Sequence, residues 1–408
     1  MKITDIEVIP IYPRLAKRYE NRKLSLYGID HRVVFKVHTD NGLVGYGDTR
    51  VRPGRHPAPS IAKPLIGRDP FDFVNNILDP GLGTALYDVM GKYLEVPAYK
   101  LMGQKVRDAV SVAAWTRPAS PKEFSEEIRR AASQGYTIFK MHTCQYYDVI
   151  EQTRAAEEVA PEGFKIHYDF NSSRTLAAAL PTVRELERNH PIVGYIEDPL
   201  VRSDIDSWRR LREQTQIPIV MHVPLLGGLQ EIIHGLADAY MVGEGGIGNT
   251  LVRGFACGAA NIQTIIQLTG GTLTKALALH MGAVLPTGTG HSINLDDQYE
   301  EDIVRERIPV IEGFSPVPEG PGLGVEVDEE ALARMAANKP TEIPRHVGIL
   351  HMPGGHKLYT PSFPSVSRLT GREEGTIRGL KLELWDDDGS PEFARIYERV
   401  QKEGTFVE

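Results

Sequence analysis

Two acidic residues at the ends of β-rich segments are the side chains best placed in this sequence to do chemistry together. Asp169 lies in KIHYDFN, and Glu197 follows it 28 positions later in GYIEDPL. Upstream, Lys140 and His142 end the segment TIFKMHT in the same way. A (β/α)-barrel brings the C-terminal ends of its strands together. Two carboxylates there can hold a divalent cation while a lysine or histidine moves a proton, which indicates metal-assisted chemistry on a carboxylic acid.

The third ligand of such a cation is left open by the sequence. Mg²⁺ needs further oxygen ligands or several waters, whereas the next strand-like segment, IPIVMH, ends in His222. Because an imidazole suits Mn²⁺ or Zn²⁺ better than Mg²⁺, all three metals remain candidates. Glu244, in VGEGG, competes with His222 for this position. Asn171, two residues after Asp169, is expected to orient a ligand or the substrate.

Lys140 and His142 are the candidate acid–base groups. They alternate along one predicted strand, so both side chains point to the same face. A lysine on a strand is more often a solvated surface charge, but Ile138, Phe139 and Met141 around this one are apolar. The pattern therefore predicts a lysine that faces the barrel and has its pKa lowered towards neutrality beside a cation. His142 needs little shift to act as a base near pH 7.

Eight β-rich segments would position these side chains. They begin near residues 110, 137, 164, 193, 217, 239, 262 and 283, and the last of them is AVLPT. Most gaps hold helix-like stretches such as PKEFSEEIRRAASQG and AAALPTVRELERNH. Strands and helices that alternate at this spacing predict parallel βα units, and eight units favour a barrel over an open sheet.

The two ends of the chain have a different pattern. ITDIEVIPIY, RVVFKVHTD and GLVGYGDTR predict strands, with a hairpin turn at Asp40-Asn41-Gly42. ALYDVMGKYLEVPAYKLMG has helical periodicity, so this opening segment is expected to be α+β. Near the other end, HMPGGHKLYTPSFPS is typical of a loop, and SPEFARIYERVQKEG predicts a closing helix.

Composition narrows the class of protein. A length of 408 residues suggests about two domains, and 41% hydrophobic with 25% charged residues is typical of a globular protein. The net charge of −8 gives no reason to expect a nucleic-acid partner. The two cysteines, Cys144 and Cys257, fit a reducing compartment. No run reaches the ~18–20 apolar residues of a membrane span, and the opening residues lack the layout of a signal peptide. We therefore expect a cytoplasmic enzyme without a membrane partner.

Basic residues of the first segment could clamp an anionic substrate. Arg18 lies in a cluster between residues 14 and 23, and Arg50 is the first arginine of TRVRPGR. Basic loops on an acidic protein can steer an anion, although surface arginines often do nothing specific. His291, in PTGTGHSIN, is a weaker substrate-binding candidate at the predicted eighth strand end and is equally compatible with a simple turn.

The chain resembles the enolase superfamily, specifically its mandelate racemase/muconate-lactonizing branch, over roughly residues 1–335. The likeness lies in NGLVGYGD, in ALYDVMGKYLEVPAYKLMG, in the Lys-x-His at 140–142, in YDFN at 168–171, in IEDP at 196–199, and in GPGLGVEVDEEAL near 320–332. The resemblance implies a (β/α)₇β barrel over residues 113–321 and an α+β capping domain formed by residues 1–112. It also implies that residues 322–408 return to this domain, with an extension beyond about 340, and that the protein forms homo-oligomers.

The resemblance also implies a chemistry. Superfamily members abstract the proton α to a carboxylate of a small-molecule substrate, and Mg²⁺ stabilises the enediolate that forms. By motif match, Asp169 and Glu197 fall on the first two metal ligands. Lys140 and His142 fall on the two lysine positions of a Lys-x-Lys motif.

Several positions depart from the family pattern. The third metal ligand is usually Glu, but His222 stands there. Gly243 and Thr272 replace the His–Asp pair of the racemase group, and Gly246 replaces a lysine of the muconate-lactonizing type. Asn294 takes the place of the acid at the eighth strand end, where it can still donate a hydrogen bond to the enolate.

The absence of the second set of bases favours dehydration over racemisation. A racemase needs proton-transfer groups on two faces, whereas dehydration needs one base and one acid, which the 140–142 segment can supply. Dehydration of a hydroxylated acid, such as a sugar acid, is therefore favoured. A racemase, epimerase or cycloisomerase of the same superfamily is the first alternative. The second is a protein that has lost catalysis and binds metabolites or serves assembly.

Overall fold

The computed structural model describes residues 1–16, 24–222, 224–225, 227, 229–363, 366, 374 and 378–408. Arg18 and its basic neighbours at 17, 22 and 23 lie outside the described residues. Among the described helices, none is both long and apolar enough to span a membrane.

The first segment of the chain forms a three-stranded antiparallel sheet and a helix. Its elements are β1 (Ile3–Ile11), β2 (Arg32–Thr39), β3 (Val44–Arg50) and α1 (Pro80–Leu94). The strand order is β1-β2-β3, and the predicted turn between β2 and β3 is confirmed. Gly42 adopts a φ of 83° there, a conformation that glycine reaches at little cost. The helix ends at Glu95, which adopts a left-handed φ of 56°.

A parallel sheet of eight strands follows and nearly closes into a barrel. Its strands are β4 (Ala109–Thr116), β5 (Ile138–His142), β6 (Lys165–Asp169), β7 (Val193–Glu197), β8 (Ile219–His222), β9 (Ala239–Val242), β10 (Gln263–Ile266) and β11 (Ser292–Ile293). They neighbour one another in the order β10-β9-β8-β7-β6-β5-β4-β11. A parallel bridge between Gln267 and Ile293 links the end of β10 to β11. The predicted barrel is therefore confirmed.

In the described part of the chain, seven helices alternate with the barrel strands. They are α2 (Pro121–Ser133), α3 (Val149–Glu157), α4 (Leu176–Asn189), α5 (Ile205–Arg212), α6 (Leu229–His234), α7 (Ile247–Ala259) and α8 (Thr272–Val284). In α2 the buried residues Phe124, Ile128 and Ala131 recur at helical spacing, which explains why the sequence predicts this helix. Asp148 begins α3 by accepting a hydrogen bond from the backbone N–H of Ile150.

One predicted strand is wrong. AVLPT, near residue 283, lies at the end of α8, and the eighth strand is instead β11, nine residues later. All thirteen residues of α8 are buried. A helix that is buried on every side needs no solvent-facing polar stripe, so its last turn can have the same apolar run as a buried parallel strand.

The remaining elements close the chain. They are β12 (Phe314–Pro316), α9 (Glu329–Ala337), β13 (His346–His351), β14 (Lys357–Thr360), β15 (Lys381–Asp386), α10 (Pro391–Glu403) and β16 (Phe406–Val407). The last four strands form a separate antiparallel sheet in the order β15-β13-β14-β16. The predicted closing helix is confirmed as α10, which Ser390 caps at the N–H of Phe393. The predicted loop is wrong in part, because β14 lies within it.

The described chain divides into two compact units. The first comprises Met1–Trp115, Gln134–Ile138 and Met221–Thr341, and the second comprises Thr116–Ser133, Phe139–Val220 and Glu342–Glu408. In the first unit, the buried guanidinium of Arg32 pairs with Asp48 and Asp302. In the second, the last sheet and α10 share a hydrophobic core that consists of Val347, Ile349, Tyr359, Phe393, Ile396, Val400 and Phe406.

His280, buried in α8 of the first unit, predicts an acid-sensitive step in stability. Its Nε2 lies 3.1 Å from the carbonyl oxygen of Leu323, and burial lowers its pKa from 6.5 to about 4. The imidazole therefore stays neutral in the folded protein at pH values where it is protonated in the unfolded chain. The free energy of unfolding falls for this reason as the pH drops from 6.5 towards 4. When the pH is lowered from 7 to 5, the free energy of unfolding measured with urea should fall by about 2 kcal/mol more for the wild type than for His280→Gln.

An exposed histidine provides the control for this measurement. His356→Gln should show the same pH dependence as the wild type, because that side chain lies in solvent. Parallel pH profiles for the wild type and His280→Gln would contradict the assignment of a buried neutral imidazole.

Candidate functional site

The ends of three neighbouring strands in the second unit carry the candidate site. β5 ends with Lys140 and His142, β6 with Asp169 and β7 with Glu197. β6 and β7 are parallel, and Asp169 is the register partner of Glu197. Because neighbouring strands lie ≈ 4.7–4.9 Å apart, two paired strand-end carboxylates can reach one point. Predicted residues from segments about 28 residues apart therefore meet at one place.

Lys140 lies between the two carboxylates. Its Nζ is 2.6 Å from Oε2 of Glu197 and 3.3 Å from Oδ2 of Asp169. The lysine and Glu197 side chains are fully buried, and that of Asp169 is 6% exposed. His167 also reaches this point, with Nε2 2.8 Å from the same oxygen of Glu197. The oxygens of both acids therefore converge on a single positive group.

Two carboxylates oppose the effect of burial on the pKa of Lys140. Burial alone disfavours the ammonium, as the sequence analysis anticipated, but the charges of Glu197 and Asp169 outweigh burial and raise the pKa of Lys140. The lowered pKa was predicted for a lysine beside a bound cation and stays a prediction. In this structure the lysine is a protonated, paired group.

His142 is held by two acceptors at the other side of Asp169. Its Nδ1 lies 2.8 Å from Oδ1 of Asn171 and 3.1 Å from Oδ2 of Asp169. Both partners accept, so the neutral ring carries its hydrogen on Nδ1 and its lone pair on Nε2. Burial lowers the pKa of His142 to about 4; Asp169 opposes this shift, and Arg117 and Lys140 add to it. The imidazole is therefore neutral near pH 7.

The backbone at these strand ends is in the left-handed region. Asn171 and Ser172 both have a φ of 55°, and Asp198 has a φ of 43°. Left-handed non-glycine residues cost of order 1–3 kcal/mol each and cluster at functional sites. The turn is fixed by hydrogen bonds: the N–H of Asn171 donates to Oδ1 of Asp169 at 2.8 Å, and that of Ser172 donates to the carbonyl of Asp198 at 2.8 Å.

Asp198 adds a third buried acid, which the sequence analysis did not single out. Its carboxylate accepts hydrogen bonds from Arg202, four residues later in the chain. Burial, with Glu197 and Asp169 nearby, raises the pKa of Asp198 to about 6, although Arg202 opposes the rise. Three acids thus cluster in a region that is largely withdrawn from solvent.

The two candidates for a third ligand lie together in the first unit. His222 ends β8, two residues after Val220, which is the register partner of Glu197. Its Nε2 is 3.7 Å from Oε2 of Glu244, so the two side chains form an ion pair when the histidine is protonated. The imidazole is partly buried, whereas half of the Glu244 side chain is exposed.

The remaining predicted residues lie elsewhere in the first unit. Asn294 follows β11 and is buried; its Nδ2 donates to the carbonyl of Leu268 at 3.2 Å. His291 precedes β11, so its predicted place at a strand end is wrong for the same reason as AVLPT. Arg50 ends β3 and donates to the carbonyl of Tyr27 at 2.7 Å.

Two positions that the family uses for a base have structural roles in the first unit. Gly243 follows β9 with a φ of 139°, and an added Cβ would lie 2.0 Å from the carbonyl oxygen of Gln267. No side chain fits there without moving the backbone. Thr272 begins α8 and donates its hydroxyl to Asp302 at 2.8 Å. Neither position provides a proton-transfer group.

The sequence analysis also missed His167 and Glu374. His167 had a signal, because it alternates with Asp169 in KIHYD and therefore shares its face of the strand. Glu374 is buried and accepts hydrogen bonds from Thr143 and Arg174. It comes from the extension and had no signal, because no regular pattern surrounds it.

The acids of the second unit fit a divalent cation. Asp169 and Glu197 are buried, and their oxygens converge on one ammonium. Buried carboxylates need a compensating positive charge, and carboxylate oxygens are the preferred ligands of Mg²⁺. Asp169 and Glu197 would therefore hold the cation from this unit.

Comparisons with known proteins identify similar chains. The family model described as "Enolase C-terminal domain-like" matches residues 123–331. A D-galactonate dehydratase of Pectobacterium atrosepticum is 26% identical over 370 residues, which cover 78% of this chain and 94% of the relative.

Two solved structures have the same fold. A mandelate racemase/muconate lactonizing family protein from Azoarcus sp. EbN1 has a TM-score of 0.69 at 24% identity, over 83% of this chain and 98% of that one. A dipeptide epimerase from Cytophaga hutchinsonii, complexed with Mg and the dipeptide D-Ala-L-Val, has a TM-score of 0.71 at 20% identity, over 82% and 98%.

Proposed function

Since the chain belongs to the mandelate racemase/muconate-lactonizing branch of the enolase superfamily, we propose that it is a metal-dependent lyase that dehydrates a hydroxylated carboxylic acid, most simply a sugar acid. Members of the superfamily are enzymes that abstract a proton α to a carboxylate. The observation that carries the proposal is the adjacency of Lys140 and His142 at Asp169. Dehydration needs one base and one acid, and a syn elimination takes both from one side of the substrate.

Asp169 and Glu197 would hold the divalent cation, with His222 or Glu244 as the third ligand. When bound, the cation would stabilise the negative charge that develops on the substrate carboxylate. His222 favours Mn²⁺ or Zn²⁺ over Mg²⁺, whereas the two acids suit any of the three ions.

The protein side chains then divide the proton transfers between them. Nε2 of His142 takes the α proton, because its lone pair is available when Nδ1 donates to Asn171 and Asp169. Nζ of Lys140 gives a proton to the β hydroxyl, so the C–O bond breaks and water leaves. The resulting enol rearranges to a 2-keto acid, so atoms and charge balance. His167 keeps Glu197 paired while the lysine transfers its proton.

Similarity to the D-galactonate dehydratase supports this reaction over other reactions of the superfamily. The roles of Gly243 and Thr272 support it as well, since both positions lack a second base.

A substrate panel tests the proposal. Purified protein with Mg²⁺ or Mn²⁺ should convert at least one acid from a set of aldonic and aldaric acids to its 2-keto product, detected as a semicarbazone. Exchange of the α proton for solvent deuterium without a 2-keto product would favour an epimerase and contradict dehydration. Absence of both turnover and a bound divalent ion would favour a non-catalytic binding protein.

A further inference from the structure

The extension beyond residue 340 delivers one carboxylate to the loops that follow β5 and β6. Glu374 is 2% exposed, although it lies in a segment of few described residues. Its Oε2 accepts from the hydroxyl of Thr143 and from a guanidinium nitrogen of Arg174, the latter at 3.1 Å. Its Oε1 lies 3.4 Å from Nδ2 of Asn171. One residue thus ties together side chains from two active-site loops.

Those loops hold the candidate base in place. Asn171 contacts His142 through Oδ1, while Nδ2 faces three acceptors: the carbonyls of Thr143 at 2.9 Å and Asp169 at 3.3 Å, and Glu374. The backbone acceptors fix which end of the amide faces the imidazole. Glu374 adds the only charged acceptor of the three and holds the Thr143 side chain.

A structural role explains Glu374 poorly. Its carboxylate and the Arg174 guanidinium are both 2% exposed, and buried ion pairs contribute little net stability. Arg174 also packs over the ring of Phe170, with its guanidinium carbon 3.9 Å from the ring centroid. Phe170 directly follows the proposed metal ligand Asp169. The ion pair therefore fixes one segment of the chain, which contains the proposed metal ligand Asp169, Asn171 and Arg174.

We propose that Glu374 is a positioning residue through which the extension orients Asn171 and, through it, the imidazole of His142. The site is then incomplete without the extension, although the residues that would touch the substrate come from the barrel. This inference rests on the proposed function for its effect on turnover. Its effect on the histidine ring does not require turnover.

Kinetics provide the first test. Glu374→Ala should lower kcat by about 10- to 100-fold, as losses of partners behind metal-site residues do, and should change KM little. Glu374→Gln keeps one oxygen, which can face Asn171 from the position of Oε1 while the new amide group donates to the Thr143 hydroxyl, so it should recover part of the lost kcat. Glu383→Gln is the matched control, since this exposed residue of the same extension pairs only with the half-exposed His351 in the described chain. Its kinetics should equal those of the wild type.

Nitrogen-15 NMR of histidine-labelled, metal-free protein provides the second test, with His142→Gln to assign the signals. The wild type and Glu383→Gln should show one His142 ring state, protonated at Nδ1, and Glu374→Ala should show a second or averaged state. The inference is wrong if Glu374→Ala leaves the His142 signals unchanged and kcat within twofold of the wild type. It is also wrong if Glu374→Gln lowers kcat as much as the alanine variant does. Should the alanine variant not fold, the glutamine variant decides by the same ring signals, which must match the wild type.

The NMR result also separates this inference from the proposed function. If the wild type turns over no acid of the panel while Glu374→Ala still disturbs the His142 signals, the proposed reaction fails and the positioning role stands.

Discussion

Replacing Glu197 with glutamine is expected to abolish binding of the divalent cation and to lower kcat by about 10³-fold or more, since a metal ion supplies several kcal/mol of transition-state stabilisation. Glutamine has the same shape as Glu197 but no charge. Lys140 would lose the charge of Glu197 as a partner and keep its contact with Asp169. The remaining carboxylate would then be neutralised by the lysine and would compete poorly for a cation.

Calorimetric titration with Mn²⁺ measures the loss directly, without a substrate. Glu213→Gln, the same change at an exposed position just after α5, should bind Mn²⁺ as the wild type does. Wild-type affinity in Glu197→Gln would show that the acids of β6 and β7 do not form the metal site. Circular dichroism should confirm that both variants fold.

The strand ends of the site could be predicted from the sequence because a buried parallel strand has a distinctive pattern. In TIFKMHT, Lys140 interrupts an apolar run, and KIHYDF and VGYIED have the same feature at Asp169 and Glu197. A charged residue inside such an apolar run either faces the barrel interior or is incompatible with a buried strand. The structure confirms that all three side chains converge.

The same reasoning fails where a buried helix and a buried strand have the same sequence pattern. α8 is buried on every side, so its end was taken for the eighth strand, and the true strand β11 has only two residues. A strand this short offers no alternation to detect. The misplacement moved His291 from its true position before β11 to a strand end.

Glu374 could not be predicted because its partners lie far away in the sequence. It is 200 positions from Arg174 and 231 from Thr143, and no local pattern marks it. Only the folded chain shows that an extension outside the family resemblance reaches the loops of the site. The sheet formed by β13–β16 explains how the extension can be held there, since it has its own hydrophobic core.

Replacing His142 with alanine is expected to lower kcat by about 10²- to 10⁴-fold, the usual contribution of a general base, while Mn²⁺ binding is retained. The reason is that this imidazole contacts Asp169 and Asn171 through Nδ1, so Nε2 carries the lone pair that takes the proton. Loss of exchange of the substrate α proton with solvent deuterium should accompany the loss of turnover, because both depend on the same proton transfer.

Added imidazole and a distant histidine make this test specific. Free imidazole should restore part of the activity of His142→Ala, because it can enter the space left by the ring and take the proton. Lys140→Ala should not respond to imidazole in this way, since its loss removes the acid and a partner of Glu197. His351→Ala, at an ion pair with Glu383 on the last sheet, should retain full activity. Undiminished α-proton exchange in His142→Ala would assign the base to another residue, with Lys140 the next candidate because it contacts the same carboxylate.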